Sequence, residues 1–116
     1  MTEHAFSTQE RQAVYRAIAE RRDMRRFVAG ATIEPEVLAR LLQAAHAAPS
    51  VGLMQPWRFI RITDAALREA MHALVDQERL RTADALGARG DEFLALKVEG
   101  IRDCAELLVV ALGEGR

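Results

Sequence analysis

The densest positive charge in the chain lies in six consecutive residues, Arg21-Arg22-Asp23-Met24-Arg25-Arg26. Four guanidiniums here flank a single carboxylate. A planar guanidinium binds phosphate oxygens through two parallel hydrogen bonds, so such a cluster suits a phosphorylated small molecule. The alternative is a solvated basic helix end, in which the cations complement the helix dipole without binding a ligand.

A second candidate is the segment from Ala48 to Trp57, which contains two prolines and a glycine. The prolines and the glycine fix an irregular loop, and functional groups often collect in loops. Ser50 and Gln55 supply hydroxyl and amide groups suited to an oxygen- and nitrogen-rich ring, and Met54 and Trp57 supply apolar surface. The alternative is a plain connector in which Trp57 anchors the core.

Lys97 is the third candidate, because it is the one lysine among 16 basic residues. An ammonium is a compact point charge that arginine does not replace, so Lys97 could hold negative charge on a ligand. The alternative is an exposed lysine near the end of a short helix. The three histidines lack metal-ligand spacing and the single cysteine, Cys104, lies among apolar residues. The sequence therefore predicts no metal site and a buried structural thiol.

Capping signals and hydrophobic periodicity predict the elements that must position these groups. Ser7-Thr8-Gln9-Glu10 has the form of a capping box and predicts a first helix that ends in the arginine run. Pro35 suits the first turn of a second helix, which Pro49 ends. Asp64 is the predicted N-cap of a third helix.

The second half of the chain predicts two strands separated by helical segments. Trp57 to Thr63 is rich in aromatic and β-branched residues, and Glu106 to Leu112 is an apolar run typical of a buried strand. The polar, arginine-rich stretch from Gln77 to Arg89 predicts a frayed helix end or a mobile lid. A short helix from Asp91 to Glu99 is expected to stop at Gly100.

The chain has 116 residues, half of them apolar, which fits one folded domain. Its formal net charge of -1 offers no general attraction to nucleic acid or to an anionic membrane. No secretory signal is recognisable at the N-terminus, so a soluble, cytoplasmic protein is predicted. Because a two-stranded sheet is marginal alone, residues 1–116 are interpreted as the N-terminal portion of a single larger domain, or as a chain that borrows strands from a partner.

Two elements in combination resemble the flavin site of the nitroreductase family. They are Arg21-Arg22-Asp23-Met24-Arg25 followed by Phe27, and Ala48-Pro49-Ser50 with Gln55-Pro56-Trp57-Arg58-Phe59. The resemblance extends to Leu112 and implies an α+β, three-layer fold, here truncated, in which helices flank a central and mainly antiparallel sheet. It also implies FMN as the cofactor and a homodimer in the full-length protein.

Within that family, Asp23, the loop from Ser50 to Trp57 and the segment Leu96-Lys97-Val98-Glu99-Gly100-Ile101 resemble the 5,6-dimethylbenzimidazole synthases. Those enzymes fragment reduced FMN with O2 to make the lower ligand of vitamin B12. The resemblance implies the same activity here, with reduced FMN as substrate and NAD(P)H acting through a separate flavin reductase. The alternatives are a conventional NAD(P)H-dependent FMN nitroreductase and an incomplete, non-catalytic flavin-binding segment.

The resemblance makes Asp23 a catalytic residue. A carboxylate beside a phosphate is repelled and desolvated, which favours its protonated form and equips Asp23 to exchange protons during ring breakdown. Simple hydride transfer needs no such carboxylate. Lys97 would stabilise negative charge on the reduced ring, and the arginines would hold the phosphate and ribityl chain. The flavin-binding residues implied in this way are Arg21, Arg22, Asp23, Met24, Arg25, Ser50, Met54, Gln55 and Lys97.

Overall fold

The computed structural model describes residues 4–114, and within them it contains helices and a two-stranded antiparallel sheet. The predicted α+β class is therefore confirmed. No helix in this range is long and apolar enough to cross a membrane, and no group of three or more His, Cys, Asp and Glu residues there could hold a metal ion. The elements are α1 (Thr8–Glu20), α2 (Pro35–His46), β1 (Trp57–Arg61), α3 (Ala65–Leu86), α4 (Gly90–Leu94), α5 (Gly100–Asp103) and β2 (Leu108–Leu112).

The first two helices begin where the sequence predicts. The Ser7 backbone N–H donates to Glu10 Oε1 at 2.8 Å, and the Glu10 N–H donates to Ser7 Oγ at 3.1 Å, so the capping box is confirmed. Pro35 occupies the first turn of α2, where its missing N–H costs no hydrogen bond. Helix α2 ends at His46, three residues before Pro49.

The two predicted strands pair antiparallel, with Trp57 opposite Leu112 and Arg61 opposite Leu108. The apolar run was predicted to form a buried strand from Glu106, and this is wrong in two respects. Strand β2 begins at Leu108, and its Val110 and Leu112 side chains are exposed, the latter to 84%. Burial on both faces requires a covering layer on each side, and the described residues provide none over these two side chains.

Helix α3 is longer than the sequence predicts. The Asp64 carboxylate caps it by accepting from the Ala66 N–H at 2.9 Å. The helix then continues to Leu86, through most of the stretch from Gln77 to Arg89, so the predicted frayed end is wrong. The mobile lid stays a prediction. Alanine, leucine, arginine and glutamate dominate this stretch and all favour helix, which outweighs its low apolar content. Arg79 also donates to the Leu94 carbonyl at 2.8 Å and joins α3 to α4.

The predicted helix from Asp91 to Glu99 is confirmed only as far as Leu94, because residues 95–99 are not helical. Helix α4 ends at Leu94, and Gly100 begins α5 instead of ending a helix. The Val98 N–H donates to the Glu99 carboxylate at 3.1 Å. In a continuous helix this N–H would instead donate to a backbone carbonyl of the preceding turn.

The described residues bury little apolar surface. Their buried apolar side chains are those of Leu38, Ile62 and Ala83. No Cα atom of α1 or α2 lies within 8 Å of a residue in another described helix or strand. Both helices therefore connect to the rest of the described chain through loops and individual side chains.

Candidate functional site

A groove of about 400 Å³ lies between the extended segment after α1 and the segment that leads into α5. It brings together Arg25 and Lys97, which are 72 positions apart in the sequence, and we call it the Arg25–Lys97 groove. Met24, a third predicted site residue, also lines it. The lining residues are Met24, Arg25, Phe27, Val75, Lys97, Val98, Gly100, Ile101, Cys104, Glu106 and Leu107.

Gly100 allows the two walls of this groove to meet. A Cβ atom at this position would lie 2.9 Å from Cε2 of Phe27 and 3.4 Å from the Arg25 carbonyl oxygen. The first distance is shorter than a van der Waals contact, so any larger residue would displace the Phe27 ring. The glycine that was expected to stop a helix is therefore required for the close approach of the arginine segment.

The groove carries two cations without a carboxylate partner. Neither Arg25 nor Lys97 takes part in an ion pair within residues 4–114. Cys104 was predicted to be buried, but it is half-buried and open to this groove, with Sγ 3.9 Å from the Arg68 guanidinium. Phe27, Val75 and Ile101 supply apolar surface beside the cations. Such a surface suits a planar, negatively charged ligand.

Glu106 is the carboxylate in the groove, and it is already paired. Arg61 binds it with two hydrogen bonds, of 2.6 Å and 3.2 Å, and the Glu106 side chain is only 14% exposed. The hydrogen bond from Arg61 is the main cause that lowers the pKa of Glu106, and the charges of Arg61 and Arg68 act in the same direction against burial. Glu106 is therefore paired with Arg61 and forms no ion pair with Arg25 or Lys97. The charge of Lys97 acts instead on Glu99, where backbone hydrogen bonds and then this charge lower the pKa of the carboxyl.

Arg68, a residue of α3, binds the backbone of the segment directly after α5, where Cys104 lines the groove. Its guanidinium donates to the backbone carbonyls of Ile62 at 3.1 Å, Cys104 at 2.6 Å and Ala105 at 3.4 Å. The sequence reasoning missed this residue, because its acceptors are backbone atoms that no side-chain pattern reveals.

Three predicted site residues lie outside the groove, on the extended segment directly after α1. Arg22 donates to the carbonyls of Glu20 and Arg21, each at 3.1 Å, and so caps the C-terminal end of α1. The Arg21 guanidinium lies 3.6 Å from Asp23, whose side chain is 87% exposed. The functional roles of Arg21, Arg22 and Asp23 stay predictions.

The remaining predicted residues belong to the loop after α2. Ser50 Oγ accepts from the Gln55 N–H at 3.1 Å and closes the loop on itself. Leu53 and Gln55 have φ values of 54° and 44°. Residues other than glycine rarely adopt this left-handed backbone conformation. Met54 and Gln55 line a separate hollow of about 460 Å³ that shares no lining residue with the Arg25–Lys97 groove. The structure thus divides the predicted site into two parts.

The loop and Trp57 also contact His46, which the sequence analysis did not place in the site. Trp57 Nε1 donates to His46 Nδ1 at 3.0 Å, and Gln55 Nε2 donates to the His46 carbonyl at 3.3 Å. The ten residues between His46 and Trp57 match neither helical nor strand periodicity, so no local signal could have linked the two rings.

Comparison with known proteins identifies the family. The sequence model of the nitroreductase family matches residues 18–115, which is most of the chain. The chain belongs to the nitroreductase family. The match includes both parts of the candidate site, from the arginine segment through the loop to the segment around Lys97.

This nitroreductase-family chain is similar to several named enzymes. A 5,6-dimethylbenzimidazole synthase of Rhodospirillum rubrum is 40% identical over 98 residues, which are 81% of this chain and 44% of that enzyme. A protein of the same name from Rhodobacter capsulatus is 34% identical over 97 residues, 83% of this chain and 47% of the relative. Iodotyrosine deiodinase 1 of Rattus norvegicus is 27% identical over 67 residues, 58% of this chain and 23% of the relative. The chain spans about half the length of the synthases that it matches.

The Glu106–Arg61 pair should make the free energy of unfolding depend on pH in the acid range. Because the folded state lowers the pKa of Glu106, the pair stabilises the fold above the ordinary pKa of 4.5. This contribution is lost as the pH falls through the lowered pKa. We expect Glu106→Gln to be less stable than wild type at neutral pH, and the difference to vanish in acid. Urea denaturation at several pH values measures it.

Glu78→Gln is the matched control, because it breaks an ion pair with Arg81 in which both side chains are exposed. Exposed pairs contribute little to stability, so this variant should follow wild type at every pH. A Glu106→Gln deficit that is the same at neutral and at acid pH would contradict the assigned role.

Proposed function

We propose that the protein carries out the oxygen-dependent fragmentation of reduced FMN to 5,6-dimethylbenzimidazole, for the lower ligand of vitamin B12. The observation that carries this proposal is the meeting of Met24, Arg25 and Lys97 in one groove. The synthase resemblance assigns these three residues to a flavin from the sequence alone. The 40% identity to the Rhodospirillum rubrum synthase supports the proposal.

The chemistry of the groove suits part of an FMN molecule, because it combines cations with apolar surface. Its volume of about 400 Å³ lies within the usual range for small-molecule sites. Arg25 and Lys97 have no carboxylate partner within residues 4–114, so both can face a phosphate or an anionic ring. Phe27, Val75 and Ile101 provide apolar surface for a planar ring. When bound, reduced FMN supplies the electrons and the ring that are consumed with O2.

The roles of the protein residues follow from their charges. Arg25 would bind the phosphate through paired hydrogen bonds, and Lys97 would stabilise negative charge on the reduced ring. Asp23 would exchange protons with the reacting flavin as a general acid and base. We assign the other flavin contacts, on the resemblance, to Arg21, Arg22, Met24, Ser50, Met54 and Gln55.

We infer that the active form is a homodimer, and we place it in the cytoplasm. Val14 and Ile18 on α1 are exposed apolar side chains, and α1 packs against no other described helix or strand. A dimer interface would cover this stripe, since apolar patches of this kind mark association sites. Sedimentation of the purified protein at the mass of a monomer would contradict the dimer.

The fate of the flavin absorbance distinguishes the proposal from a conventional NAD(P)H-dependent nitroreductase. Chemically reduced FMN is mixed with the protein in the absence of O2, and O2 is then admitted. We expect the absorbance of oxidised flavin to return incompletely, because the ring is consumed. Full recovery over repeated cycles with NAD(P)H and a nitroaromatic substrate would favour the nitroreductase. The same mixture without protein corrects for spontaneous reoxidation.

A further inference from the structure

The last residue of α2 is joined to the first residue of β1 by their side chains. Trp57 Nε1–H donates to His46 Nδ1 at 3.0 Å, and the two rings pack edge to face, with centroids 5.9 Å apart and an angle of 85°. The acceptor role of Nδ1 requires that this nitrogen carry no proton, so the hydrogen of a neutral His46 ring lies on Nε2.

His46 also holds the loop that lies between these two elements. The Gln55 side-chain amide donates to the His46 carbonyl at 3.3 Å, and the Gln55 backbone N–H donates to Ser50 Oγ at 3.1 Å. His46, Gln55 and Ser50 thus form a continuous chain of hydrogen bonds from the end of α2 through the loop.

This loop needs an external support because its backbone is strained. Leu53 and Gln55 both have positive φ values, which cost free energy for residues with a side chain. No Cα atom of α2 lies within 8 Å of a residue of β1. The His46–Trp57 contact therefore bridges a gap that backbone packing does not close.

We propose that His46 is a positioning residue, which sets the place of Met54 and Gln55 through its hydrogen bond to Trp57. The inference rests on the proposed function, because these two loop residues are assigned there as flavin contacts. His46 also lines the hollow that contains Met54 and Gln55, and the role proposed for it is to position them. It acts by holding the indole, and with it the C-terminal end of the loop, at a fixed distance from α2.

Two substitutions separate this role from a general effect on folding. His46→Leu removes the acceptor, whereas His46→Asn retains one, because Asn Oδ1 occupies about the position of His Nδ1. Neither substitution removes the backbone carbonyl that Gln55 uses. His4→Leu is the matched control, since His4 lies before α1 and away from the loop in sequence.

Tryptophan fluorescence reports on the contact directly, because Trp57 is the one tryptophan of the 116-residue chain. We expect His46→Leu to shift the emission to longer wavelength as water reaches the indole, and to raise the Kd for FMN about 10-fold, the usual effect of one lost hydrogen bond. His46→Asn should restore both values towards wild type. His4→Leu should change neither, and circular dichroism verifies that each variant is folded.

Two results would overturn the inference. One is an emission maximum and a Kd in His46→Leu equal to those of wild type. The other is a His46→Asn variant as impaired as the leucine variant, because the acceptor would then be irrelevant. Failure of the proposed function would give a different result. The wild-type chain would bind no FMN, but the tryptophan emission of His46→Leu would still be shifted from that of wild type.

Discussion

In the Asp23→Asn variant, formation of 5,6-dimethylbenzimidazole from reduced FMN and O2 is expected to fall by about 100-fold or more, the usual effect of losing a positioned acid–base group. Asparagine keeps the size of aspartate but neither gains nor releases a proton at this pH. Asp23 lies directly beside Arg22 and Met24 on the segment that supplies Arg25 to the groove. FMN binding should persist, because Arg25 and Lys97 are unchanged.

The Asp23 prediction is tested by two further variants. Asp23→Ser, which places a neutral hydroxyl at this position, should lose product formation to the same extent and still bind FMN. Asp84→Asn makes the same chemical change at an exposed position of α3 and should leave the product yield at the wild-type value. A wild-type yield from both Asp23 variants would refute the acid–base role.

Loss of the Arg25 guanidinium should have the second largest effect. Arg25→Ala is expected to weaken FMN binding by about 1.5–3 kcal/mol, the usual contribution of hydrogen bonds to a charged group, which is roughly 10- to 100-fold in Kd. Arg25 lines the groove, and its guanidinium has no ion-pair partner within residues 4–114, so its charge is available to a phosphate. Titration of flavin fluorescence measures the change.

Arg26→Ala is the matched control, because Arg26 is the next residue and does not line the groove. It should bind FMN like wild type. Arg21→Ala is expected to weaken binding to a similar extent as Arg25→Ala, on the family resemblance, although the structure places Arg21 outside the groove. Unchanged affinity in both Arg21→Ala and Arg25→Ala would return the arginine run to the interpretation as a solvated helix end.

Local signals predicted the parts of the fold that depend on neighbouring residues. The capping box at Ser7, the proline at the start of α2 and the Asp64 cap each act within a few positions, and each is confirmed. The errors arose where distant contacts decide the structure. Gly100 suggests a helix end by its residue type, but its place is decided by the ring of Phe27, 73 positions away.

The candidate site was predictable only in part, for the same reason. The resemblance named Arg25 and Lys97, but no periodicity could show that they share a groove, because that depends on the path of the chain between them. The contact between His46 and Trp57 was missed because it joins two elements across an irregular loop. The burial of β2 was overestimated because an apolar sequence shows only that burial would be favourable. It does not show that another element packs over the strand, and Val110 and Leu112 are exposed.

The yield of benzimidazole per flavin consumed tests the central claim most directly. Purified protein is mixed with chemically reduced FMN, O2 is admitted, and 5,6-dimethylbenzimidazole and residual FMN are quantified by chromatography. We predict that benzimidazole accumulates in proportion to the flavin lost, and that omission of either O2 or protein abolishes it. Complete recovery of FMN with no benzimidazole would contradict the proposed function.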